Sequence, residues 1–132
     1  MESAGVSAVL FVADLKRVSA FYTQTLGMTC VASDECHFSL DCRGFNLIVH
    51  QLPKHIADGT VPAQPPERRV EAAIRLNFPV RDIEEARRVA RRLGGQINDV
   101  PPEWADPQQK VFLGHDPEGN VFKVSQHASA VP

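Results

Sequence analysis

Chemistry in this chain of 132 residues would fall to a short set of side chains: Lys123, His37, His50, His115, Cys30, Cys36, Cys42 and Trp104, the only tryptophan. Lys123 lies in the stretch V-F-L-G-H-D-P-E-G-N-V-F-K-V-S-Q, residues 111–126. A charged ammonium has three donors and no lone pair, so it can act on a proton or an anion but cannot hold a metal. The histidines would offer imidazole nitrogens to a metal ion, although strand histidines that bond locally are the plainer reading of so loose a pattern. Three cysteines cannot all pair and none forms C-x-x-C, which fits reduced strand residues. Cys36 beside His37 suggests a nucleophile with its base, but neighbours on a strand point to opposite faces. Trp104, in P-P-E-W-A-D-P, would stack on a planar ligand, plug a cavity or meet a second copy of the chain. Arg87, Arg88, Arg91 and Arg92 read either as a nucleic-acid stripe or as a solvated face with Glu84 to Arg88 at i,i+4. A net charge of −2 favours the second.

The length suits one domain with a real core. No apolar run approaches the roughly 18 residues of a membrane span. The N-terminus lacks a basic region and runs directly into a strand pattern, so no signal peptide is expected and the cytoplasm is the expected location.

Two similar segments position these residues. Asp14-Leu15 matches Asp82-Ile83 and Gly27 matches Gly95, both at an offset of 68 residues. In the first segment Val6, Ala8, Leu10 and Val12 alternate with Ser7, Val9 and Phe11, predicting a strand. Asp14 then caps a helix carrying Leu15, Val18, Tyr22 and Leu26 on one stripe, ended by Gly27. Strands follow at about 29–33, 36–42 and 45–52, with turns at Asp34-Glu35 and Arg43-Gly44. In the second segment Ile74, Leu76, Phe78 and Val80 alternate with Arg75, Asn77 and Pro79. Asp82 caps a helix, with Glu85 as an acidic capping-box partner and a stripe of Ile83, Ala86, Ala90 and Leu93 that Gly94-Gly95 stops. A short strand at 96–99 precedes a hairpin turned by Asp116-Pro117-Glu118-Gly119, in which Pro117 pre-sets φ and Gly119 suits the last position. Residues 53–69, with four prolines in seventeen positions, read as a surface linker.

The D-P-E-G-N-x-x-K hairpin and the repeated modules resemble the glyoxalase / bleomycin-resistance / extradiol-dioxygenase superfamily, the vicinal oxygen chelate fold, over nearly the whole chain from Val6 to Gln126. The resemblance implies an α+β fold in which two βαβββ modules form a curved mixed sheet with helices outside and a concave ligand-binding face. The expectation is one domain over 1–132, with module 1 at about 6–52, a linker at 53–70 and module 2 at about 71–127. Metal-dependent members of the superfamily place a ligand early in the first strand and late in the last strand of each module. Carried onto this chain, those positions are Ser7, Ile48, Arg75 and Lys123. One hydroxyl, one alkyl group and two cations do not match the imidazoles and carboxylates that divalent metals want. No metal and no cofactor is therefore expected, and glyoxalase I or extradiol dioxygenase activity falls with the metal.

Arg75 and Lys123 facing one cavity would need an anion. A ligand carboxylate, phosphate or enolate would supply it, with Arg75 as a bidentate clamp and Lys123 as a point charge; the alternatives are that Asp41, Glu103 or another carboxylate pairs with them, or that Lys123 reaches out to solvent. The expected ligand-binding set is Ser7, Val9, Phe11, Asn46, Ile48, His50, Arg75, Asn77, Trp104, Val121, Lys123 and Ser125. The expected function is binding or sequestration of a small anionic or aromatic organic molecule by a homodimer, with neither nucleic acid nor membrane as partner. Bleomycin itself, a cation, would be opposed by Arg75 and Lys123. The alternatives are an enzyme, either a lyase or isomerase using Lys123 or His50 or a dioxygenase-like metal enzyme with relocated histidines, and a dimeric scaffold with a vestigial cup.

Overall fold

Alternating strands, aspartate caps and glycine stops recur twice, and the computed structural model, which describes residues 5–59, 65–106 and 108–126, turns each occurrence into a unit. The first four residues, the 60–64 part of the linker and residue 127 of the second module lie outside the described residues. The chain divides into two compact units, 1–61 and 62–132.

In the first unit, β1 (Ser7–Val12) leads to α1 (Leu15–Thr25), then β2 (Thr29–Ser33), β3 (His37–Cys42) and β4 (Phe45–Gln51). The sheet order is β1-β4-β3-β2, with β1 parallel to β4 and the other pairs antiparallel. Asp14 caps α1 by accepting from the Arg17 N–H. The stripe Leu15, Val18, Tyr22 and Leu26 is buried as its spacing predicts, together with Phe21, against Val12, Leu40, Leu47 and Val49. Gly27 takes the left-handed conformation, φ 70°, that ends the helix. Arg43 and Gly44 both have positive φ, the signature of a two-residue hairpin turn twisted to match its strands.

The linker is more structured than its prolines suggest. Pro53 leads into α2, one turn at Lys54–Ala57, and residues 67–69 lie on the closing hairpin of the second unit, where the Arg69 N–H donates to Gly119 O at 2.8 Å.

The second unit runs β5 (Asn77–Pro79), α3 (Ile83–Arg92), β6 (Gln96–Ile97), β7 (Lys110–His115) and β8 (Val121–Gln126), in sheet order β5-β8-β7-β6. Again the first and last strands are parallel and the rest antiparallel. Its first strand is shorter than the alternation over 74–80 predicts. Pairing starts at Asn77, opposite Lys123, although β8 itself begins two residues earlier at Val121. Leu76 O still accepts from the Lys123 N–H at 2.8 Å, while Ile74 is left exposed. Asp82 caps α3 by accepting from the N–H groups of Glu84 and Glu85, but Glu85 does not reciprocate as a capping box. Its carboxylate pairs with Arg88, and Glu84 pairs with Arg87, so the charges meet at i,i+3 rather than in the expected i,i+4 pair.

One glutamine ties each module together, and sequence reading missed both. Gln51 Oε1 accepts from the Leu15 N–H at 3.1 Å, and Gln126 Oε1 accepts from the Ile83 N–H at 2.7 Å. Each lies three residues beyond the would-be coordinating position of its last strand, Ile48 or Lys123, and satisfies an orphan donor in the first turn of the helix. The signal was available as the same residue type at equivalent places in the repeat.

Candidate functional site

Strand alternation decides which side chains share a face. In the first unit α1 covers the face of Val12, Leu40, Leu47 and Val49. Ser7, Val9 and Phe11 therefore project from the opposite face. The parallel register sets Ser7 beside Asn46, Val9 beside Ile48 and Phe11 beside His50. All six first-module candidates share this helix-free face, with Val9 and Phe11 about half exposed, at 51% and 56%. Ser39 Oγ donates to Asn46 Oδ1 at 3.2 Å on the same face. The rings of Phe11 and His50 are 5.5 Å apart, and those of His50 and His37 are 6.4 Å apart and nearly parallel.

In the second unit, Phe78, Phe122 and Val124 are buried on the helix side. Asn77, Val121, Lys123 and Ser125 share the other face. Ser125 is buried, and its Oγ donates to Asn77 Oδ1 at 3.4 Å. Arg75, two residues ahead of Asn77, lies outside the ladder and is exposed. Lys123 is half-buried, and its Nζ stands 5.1 Å from the centroid of the Trp104 ring. That is a cation–π contact, so Trp104 already covers the ammonium; the ring itself remains 62% exposed. Among the described residues neither Arg75 nor Lys123 has a carboxylate partner. Asp41, one proposed internal counter-ion, instead accepts from the Gly44 N–H.

The repeat holds at the level of register. Val9 pairs with Ile48, and Asn77, 68 residues after Val9, pairs with Lys123. Ser7 and Ile48 therefore occupy in the first module the places of Arg75 and Lys123 in the second. This set does not fit a divalent cation, because it contains no imidazole and no carboxylate. The histidines each bond locally, as in the plainer sequence reading. His37 Nδ1 meets Asp34 Oδ1, His50 Nδ1 meets Gln51 O and His115 Nδ1 meets Asp116 O, each at 2.9 Å. His115 is buried in the second unit, and burial lowers its pKa below the usual histidine value, with the nearby Arg68 charge adding to the effect. No group of three or more His, Cys, Asp or Glu that could hold a metal occurs among the described residues. Cys36 lies just outside β3, where its N–H donates to Asp34 Oδ1.

The signature hairpin is built around Asp116. Gly119 N–H donates to Asp116 O at 3.0 Å, closing the expected turn, while the buried carboxylate accepts from the N–H groups of Glu118 and Asn120 and from Asn120 Nδ2. Asn120 thus has a structural reason for its place in the motif.

A family model described as a glyoxalase-like domain matches residues 7–125, and the chain belongs to that family. It carries the vicinal oxygen chelate arrangement of two βαβββ modules. Among solved structures it is similar to a glyoxalase/bleomycin resistance protein from Albidiferax ferrireducens T118, with 20% identity, 95% of this chain and 99% of that chain covered, and a TM-score of 0.63. A glyoxalase/bleomycin resistance protein/dioxygenase family enzyme from Burkholderia phytofirmans PsJN shows 21% identity, coverage of 91% and 95%, and a TM-score of 0.64. The fosfomycin resistance protein FosX from Listeria monocytogenes shows 15% identity, coverage of 97% and 96%, and a TM-score of 0.66. At such identities the likeness is one of fold. A comparison with curated proteins gives no match.

Proposed function

We propose that this protein binds a small organic anion with a planar apolar body, and that it does so without a metal at the superfamily's coordinating positions. The observation that carries the reading is Lys123: a half-buried ammonium on the helix-free face of the second module, in contact with the Trp104 ring and without a carboxylate partner among the described residues. A cation held in this way attracts an anion, and an aromatic ring beside it offers a surface for a flat ligand. Arg75 adds a second, exposed guanidinium at the edge of the same sheet, suited to bidentate contact with a carboxylate or phosphate. Asn77 and Ser125 supply neutral hydrogen-bonding groups nearby.

The test is a fluorescence titration of Trp104 with benzoate-like and aliphatic carboxylates and with inorganic phosphate, in the presence of EDTA. Saturable quenching is expected in the wild type. Lys123→Met should weaken it by roughly tenfold or more, the usual worth of a charge-assisted hydrogen bond. Equal silence of wild type and Arg75→Ala toward every anion would end the proposal.

A further inference from the structure

We propose that His37 and His50 form a two-imidazole site for a divalent ion of the copper, nickel or zinc class on the helix-free face of the first module. The residues sit opposite each other on the antiparallel strands β3 and β4, so both side chains leave the same face. Their rings lie 6.4 Å apart between centroids, inclined by only 19°.

What makes the pair more than two neighbouring histidines is the state of their nitrogens. His37 Nδ1 is 2.9 Å from Asp34 Oδ1. The N–H groups of Cys36 and His37 also donate to this oxygen, at 2.8 and 2.9 Å, so it is an acceptor. His50 Nδ1 is 2.9 Å from Gln51 O, a carbonyl that can only accept. Each contact therefore fixes the ring proton on Nδ1 and leaves the lone pair on Nε2. Two Nε2 lone pairs on one face are the donor set that borderline divalent ions select, and the Asp34–His37 contact is the carboxylate–imidazole arrangement that orients a coordinating histidine. Bond lengths of about 2.0–2.1 Å to a shared tetrahedral ion would bring the ring centroids to roughly 5 Å. The rings must then close by a little over an ångström and turn out of their near-parallel stack, because each lone pair lies in its ring plane; that adjustment is open to His37, whose side chain is 33% exposed. The Phe11 ring, 5.5 Å from His50, walls one side. No third protein ligand of the usual types joins the pair among the described residues, so the ion is exchangeable and keeps open positions for water or an organic anion. The site is distinct from Ser7, Ile48, Arg75 and Lys123: His37 is on β3, and His50 is two residues beyond Ile48.

The experiment is calorimetric titration of the full chain, stripped with EDTA and desalted, with nickel and then zinc chloride. One ion per chain is expected. His37→Gln and His50→Gln should each weaken binding by at least about tenfold, and Asp34→Asn should weaken it less, in keeping with the effect of orienting partners. Circular dichroism melting confirms that the variants fold. Undiminished binding in the two histidine variants, or no saturable binding in the wild type, overturns the proposal. Nitrogen-15 spectra of the wild-type imidazoles give an independent reading: both rings should carry the proton on Nδ1 and shift at Nε2 on adding zinc. A lone pair on Nδ1 of either ring would refute the site. Because the anion titration is run in EDTA, failure of one proposal leaves the other standing.

Discussion

Gly119→Ala should be the most damaging single methyl addition in the second module. Gly119 has φ +85°, where an L-residue costs about 1 kcal/mol relative to glycine. Gly44, at φ +90°, carries the same conformational demand with nothing within 4 Å of an added Cβ, so Gly44→Ala measures that term alone. At Gly119 the Cβ would also stand 1.9 Å from Glu67 O and 2.9 Å from Glu67 C, both backbone atoms that no rotamer change can move. The 67–69 segment would have to lift away, breaking the bond from the Arg69 N–H to Gly119 O, worth about 1 kcal/mol, and exposing Asp116, Pro117 and Glu118, which are buried. Returning the buried Pro117 ring to water adds about 1–2 kcal/mol of lost apolar burial. The expected loss is therefore about 3–4 kcal/mol for Gly119→Ala against about 1 kcal/mol for Gly44→Ala. Urea unfolding followed by circular dichroism reads the difference as a midpoint shift of about 0.7–3 M, given slopes of about 1–3 kcal/mol/M. Equal losses for the two variants would mean that Glu67 does not lie on the turn, and the account of the buried signature hairpin would fail.

Three further outcomes are expected. His115 has a folded-state pKa below the usual value because burial disfavours its charge. The unfolded chain therefore takes up the proton first, so His115 supports stability above about pH 6.5 and that support is lost as pH falls through the folded value. Denaturation midpoints measured between pH 8 and 5 should fall on acidification, and less steeply in His115→Gln; superimposable profiles would contradict the burial argument. Gly114→Ala places a Cβ 2.7 Å from Gln96 O, 2.9 Å from Phe122 Cε1 and 3.1 Å from Ile97 Cγ1, so overpacking by about 1–3 kcal/mol should appear in thermal melts. Gln51→Leu and Gln126→Leu each leave a first-turn helix N–H without its partner and should cost about 1–3 kcal/mol, whereas changing exposed Gln24 in the same way should cost almost nothing.

Much of this architecture was legible because its signals are local. An aspartate before an apolar stripe predicts a helix start wherever it occurs, and Asp14 and Asp82 both cap as expected. What the pattern misjudged depends on a partner strand. The alternation over 74–80 is as regular as that over 6–12, but β5 pairs with β8 only from Asn77 onward, two residues short of what the start of β8 at Val121 would allow. The proline-rich linker misled in the other direction, because prolines remove donors without preventing carbonyls such as Glu67 O from packing against a glycine. Of the candidate site, face membership was readable from the period of two. The Lys123–Trp104 contact was not, because the loop that delivers Trp104 has no periodicity to read.

The superfamily scaffold can exchange its coordinating residues without losing its fold because the two jobs fall on opposite faces. The core rests on Val12, Phe21, Leu40, Leu47 and Val49 in one module and on Phe78, Ile83, Phe122 and Val124 in the other, all on the helix side. Caps, turn and glutamine bridges use residues that never project from the helix-free face. Ser7 and Ile48, and Arg75 and Lys123, project only from it or lie at its edge, and little of either core depends on their identity. A glutamate-to-lysine exchange at such a position reverses the charge offered to a ligand while leaving Phe122 and Val124 in place on either side. Under the proposed function, the Lys123–Trp104 contact is where such an exchange would present a cation to a ligand at small structural cost.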